Sequence, residues 1–189
     1  DSMRKKVAEV NLMRAAAAES ESEAIGALAA AIQERLARGG ALITFGNGGS
    51  ATDANDLAID CAAPPPGWTP IPAISLAAEP ANITAIANDI GAEAIFSRQL
   101  IAHARAEDVA VAISTSGNSA NILRALAEAR KRGLLTVGLV GYDGGKLVHE
   151  HLVDHAVVVR SDYIPRIQEV QASIYHVLRG LIQAGQGGH

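Results

Sequence analysis

Aromatic residues are scarce in this chain: one Trp, three Tyr and two Phe, 3% of 189 residues. So few rings argue against a nucleic-acid platform built on base stacking. Positive charge is thin as well. Sixteen Lys and Arg face 20 Asp and Glu, and no Lys or Arg lies between Arg38 and Arg98. There is no basic stripe, so direct nucleic-acid binding is not expected. Cys61 is the only cysteine. It excludes an internal disulfide and a Cys-x-x-Cys redox pair, and it fits a reducing compartment. No apolar run approaches the ~18 residues that a membrane span needs, and the N-terminal stretch lacks a signal-peptide core. A cytoplasmic protein with no membrane partner is expected. Walker A and G-x-G-x-x-G spacings are also absent; Gly141 to Lys146 does not supply one.

What is present is a full apolar complement, 49% of residues, in a length that suits one domain. Residues 4 to 38 carry many Ala, Glu, Arg and Leu and no Pro. Val7, Val10, Leu12, Met13, Ile25, Leu28, Ile32 and Leu36 recur at roughly helical spacing, which predicts one long helix or two, stopped by Gly39-Gly40. Residues 1–40 thus read as an N-terminal helical segment of the same domain as 41–189. Strand-like runs follow at 41–46, 71–76, 108–113, 134–140 and 155–160. Helical patterns fall near 50–61, 80–88, 92–105, 119–132 and 165–184, and 185–189 reads as a frayed end. Alternating strands and helices predict an α/β fold: a parallel sheet covered on both faces. Pro64 to Pro66, Pro70 and Pro72 mark a loop.

Two of the strand-to-helix loops carry the chemistry. Val109 to Ile113 ends in Ser114-Thr115-Ser116-Gly117-Asn118-Ser119, and a helical stretch follows at once. Three Ser, one Thr and one Asn stand at a helix N-terminus, where unsatisfied N–H groups and a partial positive charge accumulate. A phosphate fits there without any Lys. The plainer reading is that Ser119 only caps the helix. Ala41 to Phe45 likewise ends in Gly46-Asn47-Gly48-Gly49-Ser50, whose glycines permit close approach of backbone to a ligand. In an open parallel sheet such loops meet at the carboxyl edge of the strands, where ligands bind.

Asp53, Asp56 and Asp60 follow the first loop at i, i+3 and i+7 and so share one helix face. Their crowding can raise a pKa or recruit a metal; a solvated helix face is the plainer alternative. Gln168 and His176 lie two turns apart on the last helix, where a partly buried structural His is the plainer reading of His176. His149, His151 and His155 suggest a metal cluster but have no matching ligands elsewhere, and a solvated turn is expected.

Gly46 to Ser50, Ser114 to Ser119, and Arg166-Ile167-Gln168-Glu169 with His176 together resemble the sugar isomerase (SIS) domain, specifically the bacterial phosphoheptose isomerases. Asn88-Asp89 and Gly141 to Gly145 fit the same pattern, and the similarity covers nearly the whole chain. The resemblance implies a three-layer αβα sandwich with a five-stranded parallel sheet of the flavodoxin-like kind. It also implies a homotetramer with active sites between subunits, and conversion of sedoheptulose 7-phosphate to an aldoheptose 7-phosphate, of the D-glycero-D-manno type, through an enediol.

By the same resemblance, Ser114, Thr115, Ser116 and Ser119 would hold the phosphate. Asn47, Gly48, Gly49, Ser50 and Gln168 would contact the sugar, and Asn88 and Asp89 would line the pocket. The family's zinc ligands are a His and a Glu after the first loop plus the distal Gln and His. Gln168 and His176 match; Asp56 stands in place of the His and Asp60 in place of the Glu. That implies Asp60 as base, His176 as acid, and a divalent-metal set of Asp56, Asp60, Gln168 and His176. This set is harder than zinc prefers and leans toward Mn²⁺ or Mg²⁺. The family's Arg soon after that Glu is missing, and Pro165 replaces the Asp often found before Arg166. These departures keep a rival in view: a non-catalytic sugar-phosphate-binding relative that partners the replication initiator.

Overall fold

A computed structural model describes residues 2–185; the expected frayed end beyond Gly185 lies outside them. The N-terminal pattern resolves as a single helix, α1 (Ser2–Ala37). Its buried residues include Ile25, Leu28, Ala29 and Ile32, one stripe on a 3.6-residue period. The helix stops where Gly39 takes φ +83° and Gly40 N–H bonds back to the Arg35 carbonyl at 3.0 Å.

β1 (Leu42–Gly46), α2 (Gly49–Ala62), β2 (Ala73–Ser75), α3 (Pro80–Asp89) and α4 (Ile95–His103) form the first half. β3 (Val109–Ser114), α5 (Ala120–Lys131), β4 (Leu135–Gly141), α6 (Gly145–His149), β5 (His155–Val159) and α7 (Ile164–Gly185) complete it. The strands pair in parallel in the order β2-β1-β3-β4-β5. Registers such as Gly46↔Ile113 and Ser114↔Val140 align the strand ends along one edge. β1, β3 and β4 are buried throughout, as a sheet covered on both faces requires.

Alternate strand residues feed two cores. Leu42, Val109, Val111, Ile113, Val137 and Leu139 pack against α1, α2 and α7 through Leu28, Ile32, Leu57, Ile167 and Leu178. Ile43, Phe45, Ala110, Ala112 and Val140 pack on the other face against Phe96, Leu100, Ile122 and Leu126 of α4 and α5. This is the three-layer sandwich that the alternation of elements and the resemblance imply.

Three elements differ from expectation. β2 keeps only three residues, because Pro70 and Pro72 cannot donate ladder bonds at the sheet edge. The stretch 92–105 breaks into a 3₁₀ turn (Ala92–Ala94) and α4. The turn expected near His149 contains a short helix, α6, entered through Gly144 at φ +93° and Gly145 at φ +56°. Pro165 sits in the first turn of α7, where its missing N–H leaves no bond unmade.

Candidate functional site

In the order 2-1-3-4-5 the chain reverses direction between β1 and β3, which opens a crevice at their carboxyl ends. The β1–α2 loop enters it. Gly48 holds φ +55°, and Ser50 N–H and Ala51 N–H bond the Asn47 and Gly48 carbonyls at 3.0 Å each. A Cβ on Gly49 would lie 2.2 Å from Gln168 Nε2, so the first turn of α2 abuts the α7 amide directly. Ser50 is buried, while Asn47, Gly48 and Gly49 are exposed.

The loop after β3 is held by its own polar groups. Ser114 Oγ accepts from Gly117 N–H at 3.1 Å, and Ser116 Oγ accepts from Asn118 N–H at 3.3 Å. The β4–α6 turn supports it from behind. Gly141 N–H bonds the Thr115 carbonyl, Leu147 N–H the Gly117 carbonyl, and Lys146 N–H the Asn118 Oδ1, at 2.9, 3.1 and 2.9 Å. Ser119 opens α5, yet its hydroxyl makes no capping bond, so it stays available to a ligand. Asn47 and Asn121 exchange two amide hydrogen bonds of 2.9 Å, which tie the two loops side by side. Hydroxyls, backbone N–H groups and a helix N-terminus then face one crevice, an arrangement suited to a phosphate dianion.

The carboxylates stand on α2 beside α7. Asp60 Oδ2 lies 3.4 Å from His176 Nε2, with the two side chains 44% and 58% exposed. Burial, then the neighbouring Asp56 charge, pushes Asp53 up to about 6, and its Oδ2 is buried without a protein partner. Burial pushes Tyr175 up to about 12, with Asp53, Asp56 and Asp60 adding to the rise. Tyr175 and His176 share one turn of α7, with ring centres 4.6 Å apart.

Not every expected residue joins this group. Asp56 is exposed and opens into a cleft of about 610 Å³ with Ile59, Ser75 and Glu79 beside β2; Asp60, Gln168 and His176 do not line that cleft. Asn88 and Asp89 end α3, exposed, with Asn88 donating to Asp89 at 2.7 Å. Among the described residues no three His, Cys, Asp or Glu side chains converge as a metal site needs. With two carboxylates and an amide for one imidazole, the set fits zinc poorly. His149 pairs with Asp143 at 3.5 Å, and the 149–155 histidines form no cluster.

Sequence reasoning missed Asn121, although an Asn two residues after Ser119 is a natural bridge to a neighbouring loop. It also missed Tyr175 and Arg179, whose roles depend on which side of α7 meets α2.

The fold and crevice define the class: a doubly wound α/β protein with a polar crevice at its topological switch point. Residues 7–141 match the SIS domain family model. A phosphoheptose isomerase of Rhodospirillum rubrum is 40% identical over 161 residues, 85% of each chain, and one of Nitratiruptor sp. is 45% identical over 142 residues, 75% of each. The solved phosphoheptose isomerases of Neisseria gonorrhoeae and Francisella tularensis superpose with TM-scores of 0.90 and 0.92, at 32% and 31% identity over 97% of each chain. The chain belongs to the SIS domain family, among the phosphoheptose isomerases.

Proposed function

We propose that the protein isomerises sedoheptulose 7-phosphate to an aldoheptose 7-phosphate of the D-glycero-D-manno type. The observation that carries this reading is the Asp60–His176 pair, a titratable base and acid 3.4 Å apart on the two helices that flank the crevice. Ser114, Thr115, Ser116 and Ser119, with the N-terminus of α5, hold the phosphate. Asn47 and Ser50 contact sugar hydroxyls, Gly48 and Gly49 let the sugar approach the backbone, and Gln168 binds a sugar oxygen. Asn88 and Asp89 line the outer pocket.

With the phosphate fixed, C1 and C2 of the open-chain ketose lie between α2 and α7. Asp60 removes a proton from C1 while His176 protonates the C2 oxygen, which gives a cis-enediol. Asp60 then returns the proton to C2 as His176 takes the proton from the C1 hydroxyl. A cation held by Asp56, Asp60, Gln168 and His176 would polarise the sugar oxygens. Asp60 is one methylene shorter than Glu, and ~1 Å of misplacement costs about 100-fold in rate, so a modest kcat is expected.

Met3, Val7, Leu12, Val177 and Leu181 are large apolar side chains left exposed on α1 and α7. They support the expected homotetramer with active sites between subunits. No described helix is long and apolar enough to cross a membrane. The relatives' isomerase name supports the enzyme over the initiator-partner reading, which gains no support.

The test is turnover of sedoheptulose 7-phosphate by wild type, Asp60→Asn and His176→Ala. Both variants should lose about 10² to 10⁴ in kcat with KM changed by no more than about threefold. Absence of wild-type turnover, alone or with added Zn²⁺, Mn²⁺ or Mg²⁺, refutes the reading.

A further inference from the structure

Arg179 lies on α7 one turn past His176 and is 3% exposed. Among the described residues no carboxylate pairs with it. A buried guanidinium without a counter-ion is costly unless other groups satisfy it. Here carbonyls and one amide do so. Nε donates to the Asp60 carbonyl at 3.3 Å, one terminal nitrogen to the Thr69 carbonyl at 3.0 Å, and the other to Gln183 Oε1 at 3.2 Å. Gln183 Oε1 also accepts the Thr69 N–H at 3.0 Å, and the guanidinium carbon stands 4.9 Å from the centre of the Trp68 ring.

This one side chain joins three elements: the last turn of α2, the proline-rich loop after it, and α7. The Asp60 carbonyl belongs to the helix end, where backbone acceptors lack intrahelical donors and a cation is favourable. Residues 39–97 hold no Lys or Arg, so neither α2 nor its loop can supply that cation. It comes from the helix that also carries His176.

We propose that Arg179 is a positioning residue. It grips the backbone of Asp60 itself and locks the Trp68–Thr69 segment onto α7, which fixes the Asp60–His176 separation on which proton transfer depends. The proposal rests on the isomerase reading given above.

The variants are Arg179→Met, Arg179→Lys and, because a buried change can impair folding, Trp68→Ala at a residue that is 40% exposed. Arg179→Met should lose about 10- to 100-fold in kcat with KM within about twofold. Arg179→Lys should not rescue it, because an ammonium lacks the planar fork that meets three acceptors and the ring at once. Trp68→Ala keeps the three hydrogen bonds and should lose about threefold. Trp68 is the only tryptophan, so its emission reports the stack directly. In Arg179→Met it should shift toward that of solvated indole, and amide exchange across 60–70 should quicken. Folded Arg179→Met with wild-type kcat overturns the positioning role. Wild-type protein without turnover refutes the isomerase reading instead; unchanged emission and exchange in Arg179→Met would then refute the clamp separately.

Discussion

Gly117→Ala tests the phosphate loop where it is least able to adjust. Gly117 holds φ +62°, a conformation that costs a residue with a Cβ about 1 kcal/mol or more. The new Cβ would lie 2.1 Å from the Gly144 carbonyl oxygen and 2.8 Å from its carbon. Ordinary contact needs over an ångström more, and the obstacle is backbone, so no rotamer relieves it. Gly117 also donates to Ser114 Oγ and accepts from Leu147 N–H, so moving it disturbs both the loop hydroxyls and the turn behind them. Strain and overpacking together should cost about 2 to 4 kcal/mol of stability. A ~1 Å shift of the loop should raise KM for sedoheptulose 7-phosphate about 10- to 100-fold, with a smaller change in kcat. Urea unfolding followed by circular dichroism, with steady-state kinetics on the folded fraction, measures both effects. Wild-type stability together with wild-type KM would refute the claim that this turn builds the phosphate site.

Other outcomes follow from the carboxylates and the thiol. Asp53 is protonated more readily when folded, so its ionisation costs stability: nothing at low pH, a growing cost from about 4 to 6, and the full cost above about 6. The rise from 3.8 to about 6 corresponds to ~3 kcal/mol before solvent screening. Because Asp53 is partly exposed, Asp53→Asn should stabilise the protein by about 1 to 2 kcal/mol at pH 7.5 and not at pH 4, as read by denaturant midpoints at each pH. Burial pushes Cys61 up to about 11, so the native protein should resist a thiol-specific disulfide reagent at pH 8 that labels the urea-unfolded chain within minutes. Elemental analysis should find less than one zinc per chain; tight stoichiometric zinc would overturn the poor fit of the Asp-rich set.

Much of the fold is written in short-range pattern. Val109 to Ile113 is apolar on both faces and Leu135 to Val140 nearly so, with Thr136 the exception, as a covered parallel sheet requires, and Gly39-Gly40 ends α1 as its position suggests. β2 shrank because a sheet edge beside two prolines offers few ladder bonds, a fact of neighbours rather than of residues 71–76. The short α6 depends on positive φ at Gly144 and Gly145 and on support from Asn118, 28 positions before Lys146. The two polar loops at the sheet edge were legible because strand, polar turn and helix follow directly in sequence. The Asn47–Asn121 bridge, the Asp60–His176 approach and the Arg179 clamp were not. Each joins residues 74, 116 and 119 positions apart, and α7 reveals which side it turns to α2 only once packed.

The most direct measurement is proton NMR of sedoheptulose 7-phosphate incubated with the protein in D₂O. If Asp60 takes the C1 proton and exchanges it with solvent before returning it, the product is an aldoheptose 7-phosphate with deuterium at C2, and Asp60→Asn slows its formation by at least about 100-fold. An unchanged substrate spectrum, or a product formed equally fast by Asp60→Asn, contradicts the account.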